Sequence, residues 1–174
     1  ENRMPDAIRI IRENSLLPAV CGRVCPQESQ CQAPCTLGKA LKDTGRAVAI
    51  GRLERYVADL DRETAAPALP ALPAPTGCRV AVVGSGPASI TVAADVRRAG
   101  HEVTLFEAFH KPGGVLVYGI PEFRLPKAIV QTEIDALAAM GVRIETNFVI
   151  GRTRRLQDLL EKDGFDAVFV GTGA

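Results

Sequence analysis

One run near the middle of this chain, residues 79–89, reads Arg-Val-Ala-Val-Val-Gly-Ser-Gly-Pro-Ala-Ser. Its first five residues predict a buried strand, and residues 87–99 predict a helix that Gly100 ends. Gly84 allows the tight turn between them, and Gly86 lets the backbone approach a pyrophosphate with no Cβ in the way. Free N–H groups at the helix start favour an anion there. The run therefore predicts a dinucleotide-binding loop formed by Gly84, Ser85, Gly86, Pro87 and Ala88.

Strand and helix patterns alternate after this loop. Further strands are predicted at 102–106, 142–145 and 166–170, and helices at 126–140 and 153–162. This alternation predicts an α/β doubly wound, Rossmann-like sheet that is incomplete at residue 174. Glu107 follows the second strand, where a carboxylate can accept hydrogen bonds from ribose hydroxyls. Ser89 stands where the usual fingerprint has a third glycine, and a helix-capping turn without a nucleotide is the alternative interpretation.

Two adjacent glycines, Gly113 and Gly114, follow soon after the acidic position. They would let the chain pass close to a flat ring or to a pyrophosphate. An ordinary turn is an equally good interpretation of this pair. The fingerprint by itself does not separate FAD from NAD, so the choice of dinucleotide stays open at this point.

The first 63 residues follow a different pattern. Helices are predicted over 5–14 and 46–61, with irregular backbone over 15–38, where glycines and prolines interrupt the sequence. A run of alanine, leucine and proline then predicts a semi-extended linker. We therefore divide the chain into a small α-helical domain at 1–63, a linker at 64–77 and an FAD- or NAD-binding domain at 78–174.

Four cysteines in the irregular region form the pattern Cys21-x3-Cys25-x5-Cys31-x3-Cys35. Zinc sites usually have tighter pairs around a longer spacer. A compact run that includes Cys25-Pro26 fits a [4Fe–4S] cluster better, because irregular backbone lets thiolates converge from several directions. Zinc binding, simple burial and disulfide bonding stay open as alternatives. The fifth cysteine, Cys78, opens a strand and is expected to be a small buried hydrophobe.

Composition and charge exclude several classes of function. Among 174 residues, 21 Lys and Arg oppose 20 Asp and Glu, and aromatic residues make up 5%. This balance predicts neither nucleic-acid nor membrane-surface binding. No apolar run is long enough to span a bilayer and no secretory signal opens the chain, so we expect a cytoplasmic protein whose cysteines bind metal. The chain begins at Glu1 and stops just after a strand, and we expect it to be a fragment.

These motifs resemble those of a known family. The cysteine run and the helix after it, Ala49-Ile50-Gly51-Arg52-Leu53-Glu54-Arg55-Tyr56, resemble the iron–sulfur region of the NADPH-dependent glutamate synthase small subunit and part of dihydropyrimidine dehydrogenase. A second run, at 109–127, is more specific and reads Phe-His-Lys-Pro-Gly-Gly-Val-Leu-Val-Tyr-Gly-Ile-Pro-Glu-Phe-Arg-Leu-Pro-Lys. It is most similar to the single-chain glutamate synthase-like branch, which includes the large subunit of NADH-dependent ferredoxin:NADP oxidoreductase and the sulfide dehydrogenase α-subunit. The resemblance covers essentially the whole chain.

The resemblance implies two [4Fe–4S] clusters, an FAD, and an NADPH or NADH site that lies outside this fragment. It implies that Cys25, Cys31 and Cys35 are cluster ligands, completed by an upstream cysteine set. Cys21 matches a motif cysteine with no settled ligand role. Glu54 matches a position where some members use a carboxylate or amide oxygen, and a solvated helix residue is its alternative interpretation. The FAD contacts that it implies are Gly84, Gly86, Glu107, Gly113, Gly114, Arg124, Gly171 and Gly173.

The function implied by the resemblance is an NAD(P)H-dependent flavin and iron–sulfur oxidoreductase. NAD(P)H would reduce FAD by hydride transfer, and electrons would pass singly through the clusters to a catalytic partner subunit, for glutamate synthesis. Electron transfer between NADH, NADP and ferredoxin is the alternative within this class. A zinc-stabilised interaction module on a nucleotide-binding fold is the alternative outside it. We expect an oligomer, identify no catalytic side chain, and expect the fragment alone to be inactive.

Overall fold

The computed structural model describes residues 4–64 and 71–173. The chain divides into two compact units, Glu1–Pro67 and Ala68–Ala174. The linker predicted at 64–77 lies partly outside the described residues, and residues 71–77 form no helix or strand. Within the two described ranges, no helix has the length and apolar character needed to cross a membrane.

The described part of the first unit is helical. It contains α1 (Met4–Asn14), α2 (Pro18–Val24), α3 (Thr36–Ala40) and α4 (Ile50–Thr64), with a 3-10 turn at Thr44–Arg46. The buried side chains of this unit include Leu17, Val20 and Val57. Helix α2 packs closely on α4, since a Cβ added to Gly22 would lie 2.8 Å from the backbone N and Cα of Arg55. Glycine is therefore what permits this contact between the two backbones.

The prediction of irregular backbone over 15–38 was wrong for α2, which lies within this region, and for α3, which begins there, but residues 25–35 form no helix or strand. Pro18 starts α2, where its fixed φ suits the helix and its missing N–H costs no intrahelical hydrogen bond. Packing against α4 compensates for the low helix propensity of Gly22. The helix predicted over 5–14 is confirmed, and the one predicted over 46–61 begins later, at Ile50.

Strands and helices alternate through the second unit. They are β1 (Arg79–Val83), α5 (Pro87–Arg98), β2 (Glu102–Phe106), α6 (Val115–Tyr118), α7 (Lys127–Ala139), β3 (Arg143–Glu145), α8 (Leu156–Glu161) and β4 (Ala167–Val170). The strands form one parallel sheet in the order β3-β2-β1-β4. The predicted doubly wound, Rossmann-like fold is therefore confirmed. The short helix α6 was not predicted, and α8 is shorter than the predicted 153–162.

The central part of the sheet supplies much of the core. Val82 of β1 pairs with Leu105 of β2 on one side and with Phe169 of β4 on the other. Val82, Leu105 and Ile90 of α5 are each 0% exposed. Burying one such aliphatic side chain contributes roughly 1.5–3 kcal/mol. This packing holds the carboxyl end of β1 rigidly where the phosphate loop begins.

The strand order reverses at β1, because β2 lies on one side of it and β4 on the other. In doubly wound sheets, ligands bind outside the carboxyl ends of the strands at such a reversal. The N–H of Gly171, just after β4, donates to the carbonyl of Val83 at 2.8 Å. The fold therefore brings the loops that follow β1 and β4 together at the place where the sequence predicts a dinucleotide.

Candidate functional site

The phosphate loop after β1 depends on glycine at two positions for different reasons. Gly84 has a φ of +94°, and a Cβ there would lie 2.4 Å from the carbonyl oxygen of Gly171. Gly86 has an ordinary φ of −66°, and no heavy atom of the described residues lies within 4 Å of the position that its Cβ would take. Gly84 is thus required by the fold, whereas Gly86 borders open space.

The helix start beside this open space suits an anion. Gly86 is the N-cap of α5 and Pro87 is its first residue, and no side chain caps the helix. The first N–H groups of an α-helix have no intrahelical acceptor and carry partial positive charge. Pro87 and Ala88 are exposed at this end of the helix. A pyrophosphate that lay against Gly86 would therefore meet N–H donors without displacing a protein group.

The predicted glycine pair passes directly along this loop. Gly113 and Gly114 have φ values of +123° and +52°. A Cβ on Gly114 would lie 2.9 Å from the Cα of Gly86, so the two backbones touch. The N–H of Gly113 donates to the hydroxyl oxygen of Ser85 at 2.8 Å. The structure therefore places this turn beside the phosphate loop.

Glu107 lies at the end of β2 and is only 4% exposed. One carboxylate oxygen, Oε1, accepts a hydrogen bond from the N–H of Phe109 at 2.8 Å. The other oxygen, Oε2, accepts one from the hydroxyl of Ser85. A carboxylate oxygen can accept two hydrogen bonds, so each retains one free lone pair. The structure brings Glu107, Ser85 and Gly113 into one connected network.

The remaining predicted residues of this site lie on other loops. Gly171 follows β4, and a Cβ there would meet the Oγ of Ser89 at 2.3 Å. Ser89 is 0% exposed and donates to the carbonyl of Gly171 at 3.1 Å, which explains why only a small residue fits at this position. Gly173 has a φ of +90° beside open space. Arg124 is exposed in the turn between α6 and α7.

Lys127 has a structural role that sequence reasoning did not find. Its ammonium donates to the carbonyl oxygens of Leu116 at 2.9 Å and Leu125 at 3.3 Å, and also to that of Ile120. Its own N–H donates to the carboxylate of Glu122 at 3.1 Å. These hydrogen bonds therefore connect the start of α7, where Lys127 lies, to the turn that contains Arg124. No spacing rule predicts these bonds, because their acceptors are backbone groups.

The four clustered cysteines are all free and half-buried thiols. Cys21 lies in α2, and Cys25 follows that helix directly. The pKa of the Cys21 thiol is raised to about 12, mainly by burial and further by the negative charges that Cys25 and Glu54 can carry nearby. Burial also raises the pKa of the Glu54 carboxyl. Cys21, Cys25 and Glu54 therefore share one partly desolvated neighbourhood on α2 and α4.

Cys35, just before α3, has a different environment. The backbone N–H of Gly38, then that of Val48 and of Leu37, stabilise its thiolate and lower the pKa of the Cys35 thiol. When such N–H groups donate to the sulfurs of an iron–sulfur cluster, they also shift the reduction potential of that cluster. Cys31 lies in the turn before it, and its thiol is 3.8 Å from the carbonyl of Gln27.

The described residues include no group of three or more His, Cys, Asp or Glu side chains close enough to hold one metal ion. Cys21 interacts with Cys25, Cys31 lies in a turn, and Cys35 directly precedes α3. Thiolates with free backbone N–H groups nearby are nevertheless the donor chemistry that an iron–sulfur cluster needs. The expectation that Cys78 is buried was wrong, since it is exposed where the chain enters β1.

Fold and site geometry define a class: a Rossmann-like nucleotide-binding domain joined to a cysteine-bearing helical domain. Two family models match parts of the chain. Residues 1–66 match "Dihydropyrimidine dehydrogenase domain II, 4Fe-4S cluster". Residues 82–126 match "NAD(P)-binding Rossmann-like domain". The helical domain is thus of an iron–sulfur type, and the predicted nucleotide loop lies within a known dinucleotide-binding family.

Curated relatives show the same relationship over nearly the whole chain. The chain is 36% identical to the glutamate synthase [NADPH] small chain of Azospirillum brasilense, over 99% of its length and 35% of the relative. It is 39% identical to the NAD-dependent dihydropyrimidine dehydrogenase subunit PreT of Escherichia coli (strain K12), over 95% of its length and 39% of the relative. The chain therefore spans about a third of the length of these relatives.

The resemblance predicted from the sequence is confirmed. The chain is similar over nearly its whole length to the glutamate synthase small chains and to PreT, and residues 1–66 and 82–126 match a 4Fe-4S and an NAD(P)-binding Rossmann-like family model. Among solved structures, it is similar to 6-hydroxypseudooxynicotine amine oxidase from Pseudomonas geniculata N1, with 22% identity and a TM-score of 0.44, over 83% of this chain and 20% of that one.

Proposed function

We propose that this chain is part of an NAD(P)H-dependent oxidoreductase of the glutamate synthase small-subunit type, which binds FAD and [4Fe–4S] clusters. The observation that carries the proposal is the open space beside Gly86, bordered by the Gly113-Gly114 turn, on a chain whose helical domain matches a 4Fe-4S family. When bound, the flavin supplies the change from two-electron to one-electron transfer, and NAD(P)H is the hydride donor.

The second unit would bind the dinucleotide through backbone groups and one carboxylate. We assign the pyrophosphate to Gly84, Ser85, Gly86, Pro87 and Ala88, where helix α5 presents its first N–H groups. Glu107 would accept from ribose hydroxyls with the free lone pairs of its carboxylate oxygens. The FAD-side positions at Gly113, Gly114, Arg124, Gly171 and Gly173 would complete the site.

The first unit would hold iron through sulfur. We assign Cys21, Cys25, Cys31 and Cys35 as ligands, with Glu54 as a further candidate, and infer that they are shared between two clusters. The backbone N–H groups around Cys35 favour its thiolate, which is the ligating form. We also propose a cytoplasmic location, because thiolates that bind iron stay reduced in that compartment.

The proposed electron acceptor is a catalytic partner subunit that forms glutamate. The relationship to the glutamate synthase small chains supports this proposal. The relationship to PreT, at 39% identity, supports a second candidate, electron exchange with a dihydropyrimidine dehydrogenase partner. Comparing glutamine-dependent glutamate formation with pyrimidine reduction, in the presence of each partner subunit, separates the two candidates.

Anaerobic reconstitution tests the cofactors directly. The full-length protein that contains this chain is incubated with iron, sulfide and FAD, then desalted and analysed for bound flavin, iron, sulfide and zinc. The proposal predicts flavin absorbance together with a broad iron–sulfur band at about 400 nm. A chain that retains zinc, and neither iron nor flavin, would contradict the proposal and support the zinc-stabilised module instead.

A further inference from the structure

One buried hydroxyl in the second unit joins two parts of the predicted nucleotide site. Ser85 is 1% exposed, and its hydroxyl donates to Oε2 of Glu107 while its oxygen accepts from the N–H of Gly113. A serine hydroxyl has one donor hydrogen and two acceptor lone pairs, so both bonds can form at once. The loop after β1, the end of β2 and the turn before α6 therefore meet at a single oxygen atom.

The backbone of Glu107 is fixed independently of Ser85. Its N–H donates to the carbonyl of Glu145 at 2.8 Å, and its carbonyl accepts from the N–H of Phe148 at 2.9 Å. Only the side-chain torsions of Glu107 remain to be set. Two groups donate hydrogen bonds to the carboxylate, the N–H of Phe109 to Oε1 and the hydroxyl of Ser85 to Oε2. Ser85 is the side-chain donor of the two, and therefore the one that a substitution can remove.

We propose that Ser85 is a positioning residue for dinucleotide binding: it aims the Glu107 carboxylate at the ribose and ties the Gly113-Gly114 turn to the phosphate loop. This inference rests on the proposed function of the second unit. Without the hydroxyl, Oε2 of Glu107 loses a buried donor and the side chain regains rotational freedom. The ribose contact then weakens although Glu107 itself is present.

Two nucleotides that differ by one hydroxyl test this inference. ADP carries the adenosine ribose and the pyrophosphate that FAD and NAD share, and 2′-deoxy-ADP lacks the hydroxyl that an acid at this position is expected to bind. Isothermal titration calorimetry of the full chain measures both affinities. We expect the unaltered chain to prefer ADP by roughly tenfold, which corresponds to about one charge-assisted hydrogen bond.

Four variants then separate positioning from simple stabilisation. Ser85→Ala is expected to lower ADP affinity about tenfold and to change 2′-deoxy-ADP affinity by less than about threefold. Glu107→Gln is expected to lose the same preference for ADP over 2′-deoxy-ADP. The double variant is expected to lose no more ADP affinity than either single variant, because the two residues act as one unit. Ser85→Thr keeps the hydroxyl and is expected to restore the preference.

Two control variants remove a hydroxyl elsewhere. Thr91→Ala removes an exposed hydroxyl that bonds within α5, and the preference for ADP is expected to stay unchanged. Ser89→Ala removes a second buried hydroxyl, so its melting temperature shows what that loss costs in stability alone. The positioning role is wrong if Ser85→Ala lowers the affinities for ADP and 2′-deoxy-ADP equally. It is also wrong if the loss of ADP affinity in the double variant is the sum of the losses in the two single variants. If the unaltered chain binds neither nucleotide, the proposed function of the second unit fails, and this inference fails with it.

Discussion

The phosphate loop of the second unit and the cysteine region of the first are both short segments whose chemical groups recur at a defined spacing. Different interactions hold the two segments in place. In the phosphate loop, backbone contacts around Gly84 and Gly114 leave no room for a Cβ, and buried hydrogen bonds join Ser85, Glu107 and Gly113. In the cysteine region, the thiols are half-buried and lie in separate local environments.

This difference indicates which site the protein fold forms without help. The nucleotide site is built from elements that the parallel sheet already fixes, so we expect it to be preformed. The cysteines lie on two short helices and the turns between them, and metal binding commonly supplies part of the folding energy in such segments. We therefore infer that the first unit depends on its cofactor for rigidity more than the second unit does.

The largest expected effect comes from a substitution at Gly84. Gly84→Ala places a Cβ 2.4 Å from the carbonyl oxygen of Gly171 in a backbone conformation with φ +94°. We expect it to lower the free energy of unfolding by about 2–4 kcal/mol, measured by urea denaturation.

Gly86→Ala is the matched control for this prediction. Its φ is ordinary and its Cβ would point into open space. It is expected to cost about 1 kcal/mol or less in stability, the difference between glycine and alanine as an N-cap. ADP affinity should fall at least tenfold, because the methyl group would occupy the proposed pyrophosphate position. Equal losses of stability in the two variants would contradict the distinction between a glycine for the fold and a glycine for the ligand.

A glycine in the first unit tests whether the cysteine region tolerates displacement of its helices. Gly22→Ala would place a Cβ 2.8 Å from the backbone of Arg55, so α2 must move away from α4. We expect a loss of about 1–3 kcal/mol in unfolding free energy, together with lower iron content after reconstitution. Gly45→Ala, whose Cβ would meet only the side chain of Asp43, serves as the control. Normal iron content in Gly22→Ala would show that the spacing of α2 and α4 does not matter for the cluster.

The difference in thiol pKa between Cys35 and Cys21 can be measured on the metal-free chain. Backbone N–H groups lower the pKa of the Cys35 thiol, whereas burial raises the pKa of Cys21 to about 12. Only thiolates react readily with iodoacetamide, so at pH 8 Cys35 is expected to be alkylated before Cys21. Mass spectrometry of peptides after timed quenching gives both rates, and Cys35→Ser should remove the faster one. Faster labelling of Cys21 would contradict these assignments.

The smallest expected effect concerns an ion cluster on α8, which stabilises the second unit without contributing to the nucleotide site. Hydrogen bonds from Arg155 and Lys162 lower the pKa of the Asp158 carboxyl to about 2. A lowered carboxyl pKa stabilises the folded state at pH values above the unfolded pKa of about 3.9, and that contribution disappears as the pH falls toward 2. Asp158→Asn should therefore be less stable than the unaltered chain at pH 7, with the difference shrinking between about pH 4 and pH 2.

Asp135→Asn removes a carboxylate from an exposed position on α7 and is the control for this prediction. Thermal unfolding of the three chains at several pH values gives the comparison. A difference between Asp158→Asn and the unaltered chain that persists unchanged at pH 2 would show that the charge of Asp158 is not what stabilises α8.

Local patterns were sufficient to predict the sheet and the glycine loop. Strands β1 and β2 have the predicted bounds, because each is a short apolar and β-branched run that follows or precedes a glycine turn. The roles of Gly84 and Gly86 follow from the strand–turn–helix geometry that the motif imposes. The matches to 4Fe-4S and Rossmann-like families confirm the two domain types that the sequence predicted.

The features that sequence reasoning missed depend on contacts between distant residues. Helices α2, α3 and α6 are too short for periodicity to reveal, and tertiary packing stabilises them. The hydroxyl of Ser85 bonds to groups 22 and 28 residues away, which no local pattern records. The ammonium of Lys127 binds backbone carbonyls, and Cys78 is exposed because it precedes β1, which begins at Arg79.

Amide hydrogen exchange of the reconstituted full-length protein tests most directly the claim that each unit has its own cofactor. Exchange is measured on the metal-free protein, with iron and sulfide alone, with FAD alone, and with both. We predict that iron and sulfide slow exchange in residues 21–54 and that FAD slows exchange in residues 84–114, each without affecting the other range. FAD that protects neither the phosphate loop nor the Gly113-Gly114 turn, or iron that leaves residues 21–54 unchanged, would contradict this account.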